Sequence, residues 1–263
     1  MITIGSLFSG IGGFELGLER AIPNSKTIWQ CEQNKFAKKV LKKHWPNIPI
    51  YNDIKEIKHG TIEFVDVICG GFPCQDISKA GKRKGIANGA RSGLWFEMLR
   101  IIDIVRPRIA IAENVTAITH KGRGMDIVIS SLAQIGYDVE WIDVRASDEG
   151  APHKRERIFF VAYPNMQRSK KQPMYTEPME SKKFFECKSR ENGRIYTENY
   201  WKKTPIEPAI CRVDDGLSYR VDRIKALGNA IVPQCSETIG KYIMKSGILD
   251  DIEQYRKIQT GNK

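Results

Sequence analysis

Two cysteines in the first half of the sequence differ in their surroundings. Cys69 lies inside the apolar run 65–70, whereas Cys74 follows that run in the turn Gly70-Gly71-Phe72-Pro73-Cys74-Gln75. A thiolate is a strong nucleophile, but a free cysteine is mostly protonated at neutral pH unless positive groups surround it. Five basic residues follow Cys74 closely: Lys79, Lys82, Arg83, Lys84 and Arg91. Cys74 is therefore a candidate nucleophile, although a lone loop cysteine is more commonly structural, as Cys69 is expected to be.

Charged residues also mark the ends of two other apolar runs. Glu113 follows the run 109–112, and the segment His153-Lys154-Arg155-Glu156-Arg157 leads into the run 157–163. In open α/β sheets, ligands bind at the carboxyl ends of the strands. The sequence therefore predicts that Cys74 and Glu113 face one ligand site at such an edge.

The elements that must position these residues alternate along the chain. Short apolar runs predict six strands, at residues 3–8, 27–31, 65–70, 109–112, 137–144 and 157–163. Helical spacing of apolar residues predicts helices at 35–44, 94–105, 125–135, 219–227 and 231–244. Such alternation is typical of a doubly wound, mostly parallel sheet with helices on both faces. The last two strands have no helix between them and should form an antiparallel hairpin at one edge.

A glycine-rich turn after the first strand predicts a nucleoside pocket. Ser9-Gly10-Ile11-Gly12-Gly13 joins that strand to a helix, and Glu15 stands where a dinucleotide fingerprint would have its third glycine. A nucleoside without a pyrophosphate is therefore favoured. Glu32 closes the second strand, where a carboxylate can accept from ribose hydroxyls, and Asp53 could accept from an adenine amino group. The alternatives are a plain turn and two helix caps.

The composition limits the classes of protein. The 263 residues suit one domain with a modest insert, and 42 basic against 31 acidic residues give a net charge of +11. This excess favours a nucleic acid partner, although it also fits a solvated basic surface. No apolar run is long enough for a membrane span, and the start lacks secretory features, so we expect a cytoplasmic protein with free cysteines. The spacing of cysteine and histidine predicts no metal site.

Residues 165–205 have a different texture from the rest. They contain ten basic residues, five acidic residues and six aromatic residues, with almost no periodicity. This composition favours a small nucleic-acid-reading module over a disordered linker. We therefore predict a catalytic and cofactor-binding domain at 1–164, an insert at 165–205, and a return to the catalytic domain, with a closing helix, at 206–263.

Five ordered segments together resemble the DNA cytosine-5 methyltransferase family. They are Phe8-Ser9-Gly10-Ile11-Gly12-Gly13-Phe14, Pro73-Cys74-Gln75, Glu113-Asn114-Val115, Arg155-Glu156-Arg157 and Gly228-Asn229-Ala230-Ile231-Val232-Pro233-Gln234. The resemblance covers residues 5 to 245 except the insert, which is shorter than in many members. His153 also stands where the family usually has glutamine.

The resemblance implies the chemistry and the site. It implies a Rossmann-like class I fold that uses S-adenosylmethionine, with Cys74 attacking carbon 6 of a flipped-out cytosine in duplex DNA. Glu113 would act as the acid, and Arg155 would hold the base's carbonyl oxygen, with Arg157 beside it. The implied cofactor contacts are Phe8, Gly10, Ile11, Gly12, Gly13, Glu32, Gln33, Asp53, Ile54, Phe72, Asn229 and Ala230. The implied DNA contacts are Lys79, Lys82, Arg83, Lys84 and Arg91.

Two other functions remain open at this stage. One is a tRNA cytosine-5 methyltransferase, although the Cys-Phe-Thr segment of that branch is not found; the other is a DNA-binding protein with an inactive fold. We expect a monomer, because one chain carries all the motifs, with a restriction endonuclease as a possible separate partner. The target DNA sequence cannot be derived from an insert without an alignment.

Overall fold

Strands of the described residues form one seven-stranded sheet. The computed structural model describes residues 1–73, 93–151, 153–165 and 220–250. The strands are β1 (Ile2–Leu7), β2 (Ser25–Cys31), β3 (Ile50–Tyr51), β4 (Val67–Gly71), β5 (Ile109–Val115), β6 (Tyr137–Arg145) and β7 (Glu156–Pro164). Their order is β3-β2-β1-β4-β5-β7-β6, in which β1 to β5 are parallel and β7 is antiparallel to both neighbours.

Six α-helices of the described residues accompany the sheet. They are α1 (Gly13–Ala21), α2 (Lys35–His44), α3 (Gly93–Val105), α4 (Met125–Gln134), α5 (Arg220–Asn229) and α6 (Pro233–Ser246). Local sequence sets several of their ends. The Asn34 side chain accepts hydrogen bonds from the backbone N–H groups of Phe36 and Ala37 and so caps α2. Helix α6 begins at Pro233 and ends before Gly247, whose φ is 69°.

The core lies on both faces of the sheet because strand side chains alternate. In β4, Val67 and Cys69 pack in a cluster with residues of α1 and α6, whereas Ile68 packs in a cluster with residues of α3 and α4. These five elements thus form two apolar layers around one sheet. None of the described helices is both long and apolar enough to cross a membrane.

The architecture confirms the predicted doubly wound α/β fold with an antiparallel hairpin at one edge. The helix at 35–44 has the predicted bounds, and the other predicted elements differ by a few residues at their ends. Two details were not foreseen from the sequence. Strand β3 has only two residues, too few for a periodic pattern. The antiparallel strand β7 lies second from the edge, between β5 and β6.

Candidate active site

A cavity of about 240 Å³ opens at the carboxyl ends of the central strands. It lies where β1 and β4 are neighbours, so the chain order reverses there, and this is where open α/β sheets bind ligands. Its walls include nine of the predicted site residues: Phe8, Gly10, Ile11, Glu32, Phe72, Glu113, Arg155, Arg157 and Asn229. Residues far apart in the sequence thus share one cavity.

Glu32 ties the glycine-rich turn to the second strand. Its Oε2 accepts a hydrogen bond from the Gly10 N–H at 2.8 Å, and its Oε1 accepts one from the Asn34 N–H at 2.7 Å. The turn itself is tight: Phe8, Gly10 and Gly12 have φ angles of 54°, 55° and 89°. Such a conformation is uncommon for a phenylalanine, and strain of this kind is often found at ligand sites.

The turn and Glu32 fit a nucleoside. A carboxylate has about four lone-pair positions, so Glu32 can accept from two ribose hydroxyls while it keeps both backbone bonds. A Cβ placed on Gly10 would meet nothing within 4 Å, so the backbone is open toward the cavity at this point. The Phe8 ring lines the same wall and is partly buried against the core. An acceptor, an aromatic ring and an open backbone are features that suit a bound nucleoside.

The other cofactor candidates lie around this cavity rather than in its walls. Gly13 and Ala230 line a smaller neighbouring cavity of about 40 Å³, and Gly12 precedes α1. Gln33, Asp53 and Ile54 line neither space. The Asp53 carboxylate accepts from the Lys55 N–H at 3.0 Å, which is the capping role left open by the sequence. A cofactor contact by these three residues stays a prediction.

Glu113 and Arg157 form an ion pair beside the end of β4. Arg157 Nε lies 2.8 Å from Glu113 Oε1, and Glu113 Oε2 lies 2.7 Å from the position that a Cβ on Gly71 would take. Burial raises the pKa of Glu113 above its ordinary value, while the Arg157 and Arg155 guanidinium groups partly offset the increase. The structure therefore offers a buried carboxyl group that holds its proton more readily than a solvated one.

Arg155 makes different contacts from Arg157. Its Nη1 donates to the Gly228 carbonyl at 2.9 Å and its Nη2 donates to the Ala230 carbonyl at 2.7 Å. Both carbonyls flank Asn229, which lines the cavity. The two arginines of the motif therefore contact two different parts of the site.

Cys74 lies outside the described residues, as do Lys79, Lys82, Arg83, Lys84 and Arg91. The chain just before Cys74 is well anchored. Phe72 is 2% exposed and its ring centroid lies 5.0 Å from that of Trp95, while Asn114 Nδ2 donates to the Phe72 carbonyl at 3.2 Å. Pro73 lines the cavity. Phe72 and Pro73, the last described residues before the predicted nucleophile, are therefore held in place at the cavity that Glu113 also lines.

Comparison with known proteins agrees with this geometry. The profile of the family described as C-5 cytosine-specific DNA methylase matches residues 2–212, which is most of the chain. This chain belongs to that family. The membership confirms the resemblance recognised in the sequence.

Individual relatives cover part of the chain. The chain is 34% identical over 173 residues to the Type II methyltransferase M.Bsp6I of Bacillus sp. (strain RFL6), covering 65% of this chain and 55% of that protein. It thus spans about half the length of such curated relatives. A crystal structure of a candidate DNA modification methyltransferase from an E. coli prophage matches this chain with a TM-score of 0.52 and 26% identity. The match covers 62% of this chain and 47% of the prophage protein. S. pombe Dnmt2 shares the fold, with a TM-score of 0.53 and 20% identity. The match covers 64% of this chain and 53% of S. pombe Dnmt2.

Several residues of the cavity were not predicted from the sequence. Asn34, Ala37, Lys225 and Ala226 also line the cavity, and Asn114 holds the Phe72 carbonyl. Asn114 stands next to Glu113 in a recognised motif, so its position was a usable signal. The lining residues of α2 and α5 carry no such signal, because only the tertiary arrangement brings these helices to the cavity.

The cysteines of the described residues are free and buried. Burial raises the pKa of Cys69 well above its ordinary value and the pKa of Cys31 to about 12. A thiol that holds its proton so firmly is a poor nucleophile. Cys69 therefore has the properties of a core residue. Among residues 1–73, 93–151, 153–165 and 220–250, no group of histidine, cysteine and acidic side chains could hold a metal ion.

Glu15, which directly follows the glycine-rich turn and Phe14, carries a buried carboxyl group. It is 0% exposed, and its Oε1 accepts from Gln30 Nε2 at 3.1 Å. Burial raises its pKa, although hydrogen bonds to Ser6 and Ser9 partly oppose the increase. The pKa of Glu15 is therefore higher in the folded chain than in the unfolded chain. At pH values above the ordinary pKa of a glutamate, the folded chain keeps this proton more readily than the unfolded chain does, so the free energy of unfolding falls as pH rises.

We expect Glu15→Gln to reduce this loss of stability. The free energy of unfolding of the wild-type protein should decrease between about pH 5 and about pH 8. The decrease should be about 1.4 kcal/mol for each pKa unit by which burial raises the pKa of Glu15 within that range. The variant should lose less, because its amide does not titrate. Urea unfolding at both pH values measures the difference, with the exposed Glu56→Gln as the control. Equal losses in wild type and Glu15→Gln would contradict the prediction.

Proposed function

We propose that this chain is a DNA cytosine-5 methyltransferase that acts on a cytosine flipped out of a specific duplex site. The observation that carries the proposal is the Glu113 and Arg157 pair beside the end of β4, in one cavity with Glu32 and the glycine-rich turn. One cavity thus contains both the charged side chains that could contact a reacting base and the carboxylate that could bind a nucleoside. Family membership and the net charge of +11 support duplex DNA as the substrate.

The proposed reaction begins with the nucleophile. Carbon 5 of cytosine is poorly nucleophilic, so Cys74 first adds to carbon 6 and makes the ring electron-rich. Glu113, held protonated or sharing a proton with ring nitrogen 3, stabilises the charge that builds on the ring. The resemblance implied that Arg155 neutralises charge on the base, but Arg157 is the arginine that lies next to Glu113, and we assign the neutralisation to Arg157.

S-adenosylmethionine would supply the electrophilic methyl group that carbon 5 accepts. Glu32 would hold its ribose hydroxyls, Phe8 would contact its adenine, and Asn229 would help to close the cavity. S-adenosylhomocysteine would leave, a water molecule would accept the proton from carbon 5, and the double bond would re-form as the bond between carbon 6 and Cys74 breaks. The thiolate is thereby regenerated.

The two basic parts of the chain have separate proposed roles. Lys79, Lys82, Arg83, Lys84 and Arg91 would contact phosphates, which position a duplex without reading its sequence. The insert at 165–205, between the domain segments 1–164 and 206–263, would read base edges. A restriction endonuclease that recognises the same site would be a separate partner.

A labelling experiment tests the proposed function. The protein is incubated with methyl-tritiated S-adenosylmethionine and either duplex DNA or tRNA. We expect label in DNA alone, and bisulfite sequencing of plasmid from an expressing host should show one modified site. Label in tRNA alone would favour the tRNA branch, and label in neither polymer would favour a binding protein.

Glu32→Ala should weaken cofactor binding by about 10- to 150-fold, because two ribose hydroxyls lose a charged acceptor worth about 1.5–3 kcal/mol. Calorimetric titration with S-adenosylmethionine measures this change. DNA affinity without cofactor should stay nearly constant, and equal weakening of both would show that Glu32 is only structural. Asp53→Ala in the same titration tests whether Asp53 contacts the cofactor in addition to capping its turn.

A further inference from the structure

The last residues of α5 and the residues between α5 and α6 form one wall of the active-site cavity. Residues 228–232, here called the closing segment, include Asn229, which lines the cavity. The Ile231 carbonyl oxygen packs so closely on Gly13 that a Cβ there would overlap it. The Ile231 side chain lies 3.6 Å from the position of a Cβ on Gly71. The closing segment thus spans the turn after β1 and the end of β4.

Several of the described side chains of helix α5 are exposed. Val221 is 77% exposed and Leu227 is 45% exposed, and Gly228 and Asn229 are also exposed. The Ala230 N–H continues the helical pattern by donating to the Ala226 carbonyl at 2.9 Å. Ile231 and Val232 pack against the core, whereas Gly228 and Asn229 are exposed, so the end of the closing segment that carries Asn229 opens readily unless a specific contact holds it.

Arg155 supplies such a contact. One planar guanidinium donates to two carbonyls, those of Gly228 and Ala230, and a forked pair of bonds sets both position and orientation. The Arg155 backbone is itself fixed, because its carbonyl accepts from the Ala146 N–H at 2.7 Å in the β6 to β7 connection. Arg155 therefore joins this hairpin to the wall of the cavity across more than 70 residues of sequence.

We propose that Arg155 is a positioning residue, which holds the closing segment over the cofactor and thereby sets how tightly the cofactor is retained. The proposal rests on the proposed function, since the ligand retained is S-adenosylmethionine. It separates the two arginines of the motif. Arg157 contacts Glu113 and serves the reacting base, whereas Arg155 acts through the backbone on either side of Asn229.

The experiment compares Arg155→Ala and Arg155→Lys with Arg157→Lys. The first measurement is hydrogen exchange of peptides within 220–232 in the ligand-free protein. The second is the dissociation constant of S-adenosylhomocysteine by calorimetry, and the third is the single-turnover rate of methylation at saturating cofactor. Arg145→Ala is the matched control, because Arg145 lies on the same hairpin but pairs with Glu156 at the surface.

Arg155→Ala should accelerate exchange at 220–232 and weaken S-adenosylhomocysteine by about 10- to 100-fold. At saturating cofactor, its single-turnover rate should recover to a larger fraction of the wild-type rate than that of Arg157→Lys. Arg155→Lys keeps the charge but loses the fork, so it should give a smaller change in the same direction, and it replaces the alanine variant if that fails to fold. Arg157→Lys should show the reverse pattern, with nearly unchanged affinity and a lower rate.

Three results would overturn the assignment. They are unchanged exchange in Arg155→Ala, faster exchange with unchanged affinity for S-adenosylhomocysteine, and a collapse of the single-turnover rate with intact affinity. The last would place Arg155 on the base instead. If wild-type protein bound no S-adenosylhomocysteine, the proposed cofactor would be wrong, whereas the exchange measurement would still decide whether Arg155 holds the closing segment.

Discussion

Cys74→Ala should abolish methyl transfer and leave the affinity for S-adenosylmethionine close to that of wild type. Without the thiolate, nothing adds to carbon 6, so carbon 5 of the cytosine stays too electron-poor to accept a methyl group. The cofactor cavity is lined by Phe8, Gly10 and Glu32, none of which the substitution changes. Methylation with labelled cofactor and calorimetric titration together measure the two effects.

Trapping the covalent adduct tests the same assignment directly. An oligonucleotide with 5-fluorocytosine at the target site should remain attached to the wild-type protein on a denaturing gel, because fluorine cannot leave as a proton. Cys74→Ala should form no adduct. Cys69→Ala is the matched control and should keep both adduct and activity, since Cys69 is fully buried in β4 and its pKa is raised well above the ordinary value. Active wild-type protein that formed no adduct would refute the role of Cys74.

Glu113→Gln should lower the rate of methyl transfer by about 10²- to 10⁴-fold, the usual contribution of a positioned general acid. The amide has nearly the shape of the carboxyl group but cannot deliver a proton to the ring. In the wild type, burial raises the pKa of Glu113, so the carboxyl group stays protonated to a higher pH than a solvated glutamate does. Its protonated fraction then falls as pH rises through the raised pKa. The wild-type rate should therefore decline on the alkaline side, and this decline should be missing in the variant.

Single-turnover rates measured across pH check both parts of this prediction. Affinity for S-adenosylhomocysteine serves as the control and should change little, because Glu113 is assigned to the base. A thermal unfolding curve should accompany the rates, since the substitution removes the 2.8 Å ion pair with Arg157. If Glu113→Gln kept a rate within about threefold of wild type, the acid would have to be another group.

Local patterns were sufficient for most of the secondary structure. The helix at Lys35–His44 was predicted with its observed bounds, because the spacing of its apolar residues is a property of neighbouring residues. The hairpin of β6 and β7 followed from the short connection between them, which leaves no room for a helix. The position of β7 between β5 and β6 did not follow, because strand order depends on contacts between distant segments.

The candidate site divides in the same way. By itself the sequence determined which residue types stand at strand ends. It placed Glu32 and Glu113 at the carboxyl ends of two strands, and in the structure both residues line one cavity. The resemblance implied that Arg155 holds the base's carbonyl oxygen with Arg157 beside it, but no local pattern separates the contacts of two arginines in one short motif. Only the tertiary structure did so, by bringing the Gly228 and Ala230 carbonyls to Arg155 and Glu113 to Arg157. Hydrogen bonds within about 3 Å depend on how distant segments pack, and no local pattern encodes such packing.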